Sequence, residues 1–461
     1  MVFFLLAMNA PIGVALGLPA ALAIFIKEGS VTSVATQTQA AVMGHYLLTA
    51  IPFFILSSAF LTSGGAARRI VDFAVKALGH LRGGLGVAGV FSCMQFAAMS
   101  GSSPATVAAV GPIAIDGMKR ANYPVPLAAG IIATAGTLGI LIPPSIVMVV
   151  YAASAEVSTG RMFLAGIVPG LVAGLMLMVA IWLTVGRAGV QRMDWAGWRA
   201  VFKAGFYALF GLLLIVIILA GLYWKPEAFF TPTEAAAFAA VYSFFVATTI
   251  YRGVGIYKDV PWVSEGETTG QAVARGVRQF ATSMALMPVN LFHPGVRQVL
   301  IDSIKMTLML MFIIFNALIF SHVLTELGIP FEIANMVTEA NMPAWVFLIV
   351  LNIILLIGGQ FMEPSGLLLI VVPIVVPVAQ SLNIDLIHLG IIMVVNMEIG
   401  LITPPVGLNL FVTSSITGLS VLNVMKAALP WTGMLIVLLM FVTYIPALSI
   451  GFPNFIDWMF Q

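Results

Sequence analysis

Two pairs of apolar segments in this chain are each interrupted in the middle by small polar residues, glycine and proline, and the pairs are copies of one another. The first reads Gln-Phe-Ala-Ala-Met-Ser-Gly-Ser-Ser-Pro over 95–104 and Leu-Gly-Ile-Leu-Ile-Pro-Pro over 138–144. The second reads Gln-Phe-Met-Glu-Pro-Ser-Gly over 360–366 and Ile-Gly-Leu-Ile-Thr-Pro-Pro over 399–405. Gln95 corresponds to Gln360, Ser100-Gly101 to Ser365-Gly366, Pro112 to Pro377 and Pro143 to Pro404, with a four-residue gap between the blocks. Such a break exposes backbone N–H and C=O groups that lipid cannot satisfy, so it persists only where the chain lines a polar cavity. Paired interrupted segments in two halves of a membrane protein point to a transporter's binding site.

That the setting is a membrane follows from composition. Charged residues are 8% and apolar residues 61% of the chain, where soluble domains carry about 25% charge. At about 20 residues per span there is room for about ten or more membrane segments. The single cysteine, Cys93, excludes a disulfide framework and a cysteine metal site. His45, His80, His293, His322 and His388 are scattered, and no phosphate loop or nucleophile elbow is present. These absences argue against an ATPase or an intramembrane enzyme, and a net charge of +2 gives no reason to expect a nucleic-acid partner. The N-terminus has no basic region before its apolar run, which reads as a first span and not a cleaved signal.

In chain order the reading is scaffold spans over 1–65 (2–26 and 47–64), an interfacial arm helix over 66–83, and a first transport repeat over 84–160. Scaffold spans follow over 161–326 (163–186, 205–224, 233–250 and 303–325), with a long loop at 251–302. A second arm helix covers 327–342, a second transport repeat 343–415, and a C-terminal span (430–449) lies within 416–461. Each repeat holds a hairpin (84–117 with its tip at 100–104; 344–380 with its tip at 358–366) and a broken span (124–153; 386–413). The return arm 105–117 has 13 residues, about 20 Å at 1.5 Å per residue, which is short for a core of about 30 Å. With both hairpin ends inside, 17 of the 20 basic residues fall on the cytoplasmic side, Arg187 among them, leaving Lys27, Arg161 and Lys225 outside. The same threading puts the second hairpin's ends outside. The expected fold class is therefore an all-α polytopic membrane protein with inverted repeats, each carrying a re-entrant hairpin and a broken helix.

The chemistry follows from the breaks. Serine and glycine suit a helix N-cap and Pro104 suits the first turn, so a helix N-terminus points at the midplane, a favourable place for an anion. The turns before Pro143-Pro144 and Pro404-Pro405 leave carbonyls unpaired. Together with hydroxyls these are hard oxygen ligands suited to a small cation such as Na⁺. Of 18 acidic residues only Glu363 and Glu398 sit deep in apolar segments. Such a carboxylate needs a partner to offset its cost; either is also able to serve structure alone, Glu363 as a cap for the helix begun at Pro364. Serine and glycine can likewise mediate close helix packing, an alternative that the repeat weakens. Thr231-Pro232-Thr233-Glu234 reads as a capping box.

Five stretches carry a resemblance: Ala50-Ile51-Pro52-Phe53-Phe54, Ser100 to Thr106, Gly139 to Ser145, Phe230 to Ala236, and Leu401 to Asn409. At these residues the chain resembles the large membrane subunit of TRAP transporters, the tripartite ATP-independent periplasmic family. The resemblance implies Na⁺-driven uptake of a small carboxylate across the bacterial inner membrane by an elevator motion. It also implies two partners, a soluble periplasmic substrate-binding protein and a small membrane subunit, the latter expected as a separate chain. Carried over, one cation site uses Ser100 and Ser103 with the carbonyls of Gly139, Ile142 and Pro144. The other uses the tip Glu363, Ser365 and Gly366 with Gly400, Thr403 and Val406. Ser102, Thr137, Glu398 and Asn409 are the candidate substrate contacts, and no catalytic residue or prosthetic group is expected. The 251–302 loop is longer than usual for the family. A channel built on re-entrant loops and a stand-alone carboxylate symporter are the competing readings.

Overall fold

A computed structural model describes residues 1–8, 10–30, 32–36, 39, 46–185, 190–223, 230–262 and 269–459. His45, Arg187 and Lys225 lie outside the described residues. Those described form helices and connecting turns, with no strand among them. The first half contains α1 (Val2–Ala7), α2 (Ile12–Glu28), α3 (Ala50–Ser63), α4 (Ala66–Leu78), α5 (Gly84–Ser100), α6 (Ser103–Arg120), α7 (Val125–Ala135), α8 (Ile146–Ser154) and α9 (Thr159–Thr184). Next come α10 (Trp198–Tyr223), α11 (Pro232–Phe245), α12 (Thr269–Ala285), α13 (Pro294–Glu326) and α14 (Ile329–Glu339). The last six are α15 (Ala344–Gly359), α16 (Pro364–Ser381), α17 (Leu386–Gly400), α18 (Leu408–Thr417), α19 (Val421–Tyr444) and α20 (Ala447–Met459).

Local chemistry sets many of these boundaries. Thr231 and Glu234 form the expected capping box at the start of α11: the Glu234 amide donates to the Thr231 hydroxyl at 3.3 Å, and the Thr231 amide donates to Glu234 Oε2 at 2.7 Å. Gly65, at φ +80°, lets the chain turn by 62° between α3 and α4. Helix α4 then buries Ala66, Ile70 and Ala74 against α5 and leaves Arg68 and Asp72 exposed, as an interfacial arm should.

Six described helices are long and apolar enough to cross a membrane, or seven if the bent pair α3–α4 counts as one. The shorter apolar helices α2, α5, α7, α15, α17 and α18 belong chiefly to the hairpins and broken spans. Several expected boundaries move. The first span is two helices, interrupted before Pro11. The 251–302 segment is not one loop: it holds α12 and the first turns of α13, which begins at Pro294 because the His293 ring accepts from the Gly295 amide at 3.2 Å. The last span is α19, and α20 after it is a separate helix. The return arm of the first hairpin runs 18 residues and not 13, because the helix continues through Lys119-Arg120. At about 27 Å its length no longer decides the re-entrant reading. The position of the tip does, as the site geometry shows.

The two halves exchange partners. Helix α2 packs on α13 while its counterpart α11 packs on α3. Helix α8, beyond the first break, packs on α16, and α18, beyond the second break, packs on α6. Helix α9 packs on α17, and α19 packs on α7. Three reciprocal exchanges are what a two-fold relation between repeats produces, and the charge distribution makes the repeats inverted.

Candidate functional site

Each hairpin tip meets the helix break of its own repeat. At the first tip Gly101 sits at φ +60° and Ser102 is extended, so the chain reverses in two residues. The Gly101 carbonyl accepts from the Ile146 amide at 3.3 Å, which places the tip level with the break between α7 and α8. A Cβ on Gly101 would stand 2.7 Å from the Pro144 carbonyl oxygen, so only glycine allows this approach. At the second tip the Gln360 carbonyl accepts from the Val406 amide at 3.0 Å, level with the break between α17 and α18. Each break holds a cis prolyl bond, Pro143-Pro144 and Pro404-Pro405. Each hairpin therefore turns at the depth of an interrupted helix.

Oxygen atoms gather at the first tip. Ser100 Oγ lies 2.8 Å from Thr106 Oγ1 and donates to the Ser102 carbonyl at 3.2 Å, while Thr106 Oγ1 donates to that carbonyl at 2.9 Å. The 3₁₀ turn Gly136–Ile140 closes on this group at Gly139, where a Cβ would fall 2.6 Å from the Ser102 oxygen. Hydroxyls and carbonyls, without nitrogen or sulfur, are the donor set a hard cation prefers, and Ser100, Ser102, Thr106 and Gly139 fit Na⁺ in that respect. Thr106 was not among the expected ligands, although it stands four residues past Ser102, on the same face of α6.

Ser103 is turned elsewhere. Its hydroxyl donates to Asn409 Oδ1 at 3.0 Å and accepts from Asn409 Nδ2 at 2.8 Å, and Nδ2 also donates to the Ala133 carbonyl at 3.0 Å. Ser103 and Asn409 thus join the first tip to the start of α18. The Ile142 side chain packs toward Gly170 on α9. Thr137 donates back to the Thr134 carbonyl at 2.7 Å within its own turn.

The second tip differs in chemistry. Glu363 caps α16: Oε2 accepts from the Gly366 amide at 3.1 Å and Oε1 accepts from the Ser365 hydroxyl at 3.1 Å. Thr403 donates to the Ile399 carbonyl at 2.6 Å, and Gly400 lies against the Gly359 backbone. Glu398 is fully buried, and neither carboxyl oxygen has a hydrogen-bond partner. By the offset between the breaks it stands where the first repeat has Thr137.

A cavity of about 290 Å³ opens beside the first tip. Its walls are largely apolar, formed by Ile55, Ala59, Ala105, Ala108, Ile146 and Met306, with polar groups from Ser100 and Ser102 on the hairpin, Ser58, Thr62 and Ser63 on α3, and Asp302 and Ser303 on α13. The Gln298 amide donates to both oxygens of Asp302, at 2.9 and 3.0 Å. The N-terminus of the 18-residue α6 begins at this cavity. The sequence pattern does not single out the α3 and α13 residues: the hydroxyls of α3 lie in an ordinary apolar span, and Asp302 falls at the end of the expected 251–302 loop.

The family model of the tripartite ATP-independent periplasmic transporter, DctM component, matches residues 1–448. The chain belongs to that family. The C4-dicarboxylate TRAP transporter large permease protein DctM of Vibrio cholerae serotype O1 is 52% identical over 98% of this chain and 96% of its own length. The protein of that name from Pseudomonas aeruginosa is 54% identical over 89% of this chain and 87% of its own length. Among solved structures, Neisseria gonorrhoeae MtrF, described with a class of antimetabolite efflux pumps, shares the fold with a TM-score of 0.58. It is 13% identical over 91% of this chain and 85% of that one. As a member of the TRAP family the chain is a multi-pass membrane transport component and not an enzyme.

Proposed function

We propose that this chain is the inner-membrane large subunit of a Na⁺-coupled importer for a four-carbon dicarboxylate. A periplasmic binding protein delivers the substrate, and a small membrane subunit completes the assembly. The observation that carries the reading is the cavity between the first tip and helices α3 and α13, apolar in most of its wall but bordered by the oxygen cluster of Ser100, Ser102 and Thr106. Serine and threonine hydroxyls together with the α6 N-terminus suit a carboxylate in a cavity whose one charged wall residue is Asp302, its oxygens held by the Gln298 amide. Na⁺, when bound, supplies positive charge that offsets the substrate carboxylates. Ser58, Thr62 and Ser303 stand on the scaffold helices while Ser100 and Ser102 stand on the hairpin. A substrate held between them is carried when the hairpins and broken helices move against the scaffold, which is the elevator motion. The names of the two relatives supply the substrate class.

The test is uptake of labelled succinate into proteoliposomes holding this chain, the small subunit and the binding protein. Uptake is expected to saturate and to require both a Na⁺ gradient and the binding protein. Equal uptake by this chain alone, or with the Na⁺ gradient abolished, overturns the proposal.

A further inference from the structure

A second cavity, of about 630 Å³, lies just past the C-terminal end of α3, where the chain turns into α4. Its lining includes Gly64, Gly65, Arg68 and Arg69 where α3 turns into α4, Lys203 and Tyr207 on α10, and Tyr251 and Trp262 on the segment after α11. Asp72 and Asp259 also line it, but Asp72 is already paired with Lys76 at 2.7 Å. Arg68, Arg69 and Lys203 against Asp259 leave a net positive cavity.

Its frame is rigid. Arg69 donates to the Gly65 and Tyr251 carbonyls at 3.0 and 2.6 Å and lies 4.2 Å over the Tyr251 ring. Trp262 donates to the Ile250 carbonyl at 3.1 Å and lies 3.4 Å under the buried guanidinium of Arg252. Arg68 and Lys203, by contrast, are exposed and joined to no acid among the described residues. They are the two charges left for a ligand.

The surroundings identify the ligand's chemistry. Lys203 and Tyr207 form one stripe of α10, while Trp198, Phe202 and Phe206 form the adjacent stripe, exposed at 68%, 72% and 59%. An aromatic stripe open to its surroundings on a membrane helix faces acyl chains, and aromatic side chains of this kind gather at the headgroup level. A cationic pocket that continues into such a stripe receives a molecule with an anionic head and an apolar tail. The charge distribution puts this face on the cytoplasmic side, where anionic lipids draw basic residues.

We propose that this cavity binds the phosphate headgroup of an anionic phospholipid, with Arg68 and Lys203 as its mobile contacts and the lipid tails lying along α10. None of these residues lines the cavity at the first tip, although Ser63 of that cavity directly precedes Gly64 of this one.

The experiment is native mass spectrometry of the full-length chain, purified and exposed to phosphatidylglycerol and phosphatidylethanolamine in equal amounts. The wild type is expected to retain phosphatidylglycerol preferentially. The pair Arg68→Ala with Lys203→Ala should weaken retention by ~30-fold, at about fivefold per charge near an anionic surface. Arg68→Lys with Lys203→Arg should restore it, which separates charge from fold. Equal phosphatidylglycerol retention by wild type and the double alanine variant overturns the proposal. So does competition in which millimolar inorganic phosphate strips the lipid completely, because the site then recognises a free anion and not a lipid.

Discussion

The tie between Ser103 and Asn409 permits a test that separates two roles for one hydroxyl. Both side chains are fully buried, and the contact is two-way, with Asn409 also reaching the Ala133 carbonyl. Asn409→Ala leaves the Ser103 hydroxyl and the Ala133 carbonyl without this partner, at about 1–3 kcal/mol per stranded group, so a cost of roughly 2–6 kcal/mol is expected. Ser103→Ala strands the Asn409 amide oxygen and one of its two N–H groups, the other still reaching Ala133, and should cost at least about 1–3 kcal/mol. The double variant should cost well under the sum. Interhelical polar pairs in membranes average only about 0.6 kcal/mol and reach about 1.7, and the complete burial here places the expected coupling near the upper end, about 1–2 kcal/mol. The assay is thermal unfolding of the four proteins in detergent, each in Na⁺ and in choline. At ten times its dissociation constant, Na⁺ bound only to the native state adds about 1.4 kcal/mol. That increment should survive in both single variants if Ser103 serves as a tie. Additive single effects would refute the tie. Loss of the Na⁺ increment in Ser103→Ala but not in Asn409→Ala would return Ser103 to the ligand role implied by the family resemblance.

Gly101→Ala places a Cβ 2.7 Å from the Pro144 carbonyl at φ +60°, so it should destabilise the fold by at least the ~1–2 kcal/mol of the left-handed conformation and lower the thermal midpoint accordingly. Gly117→Ala, in open space on the same hairpin, should leave the midpoint unchanged or raise it; equal losses from both would refute the close approach. Glu398→Gln should raise the Na⁺ concentration needed for uptake if the carboxylate charge holds a cation. Wild-type Na⁺ dependence in Gln with no uptake in Ala would instead make Glu398 a hydrogen-bonding group. Single cysteines at Lys119 and Asn383, both exposed, in a Cys93→Ala background should react with a membrane-impermeant thiol reagent from opposite faces. Reaction from one face would overturn the inverted arrangement.

The sequence made the breaks legible because each is written locally: a glycine that turns, a serine or glutamate that caps, a proline that starts a helix. The Thr231–Glu234 box and the second tip's Glu363 cap are of this kind. The length of α6 was misread because Lys119-Arg120 end the apolar run but not the helix. Asp302 was hidden for the related reason that α13 begins at Pro294, so its first two turns are too polar to read as a span. Ser103 is a different case. Its partner is 306 residues away, and nothing in the local pattern tells whether a hydroxyl at a helix start faces an ion or an amide on the other repeat.

The exchange of partners between repeats also bears on how the chain is made. Helix α6 and the hydroxyls of the first tip enter the membrane early, but α18, which covers α6 and carries Asn409, is synthesised about 300 residues later. At roughly 5–20 residues per second the ribosome takes about 15–60 s to cover that distance. For that interval Ser103 has no Asn409 to pair with, and α8 waits similarly for α16. The first half of the chain is thus a biosynthetic intermediate with an exposed polar seam, the point at which an insertase or a membrane protease would meet it.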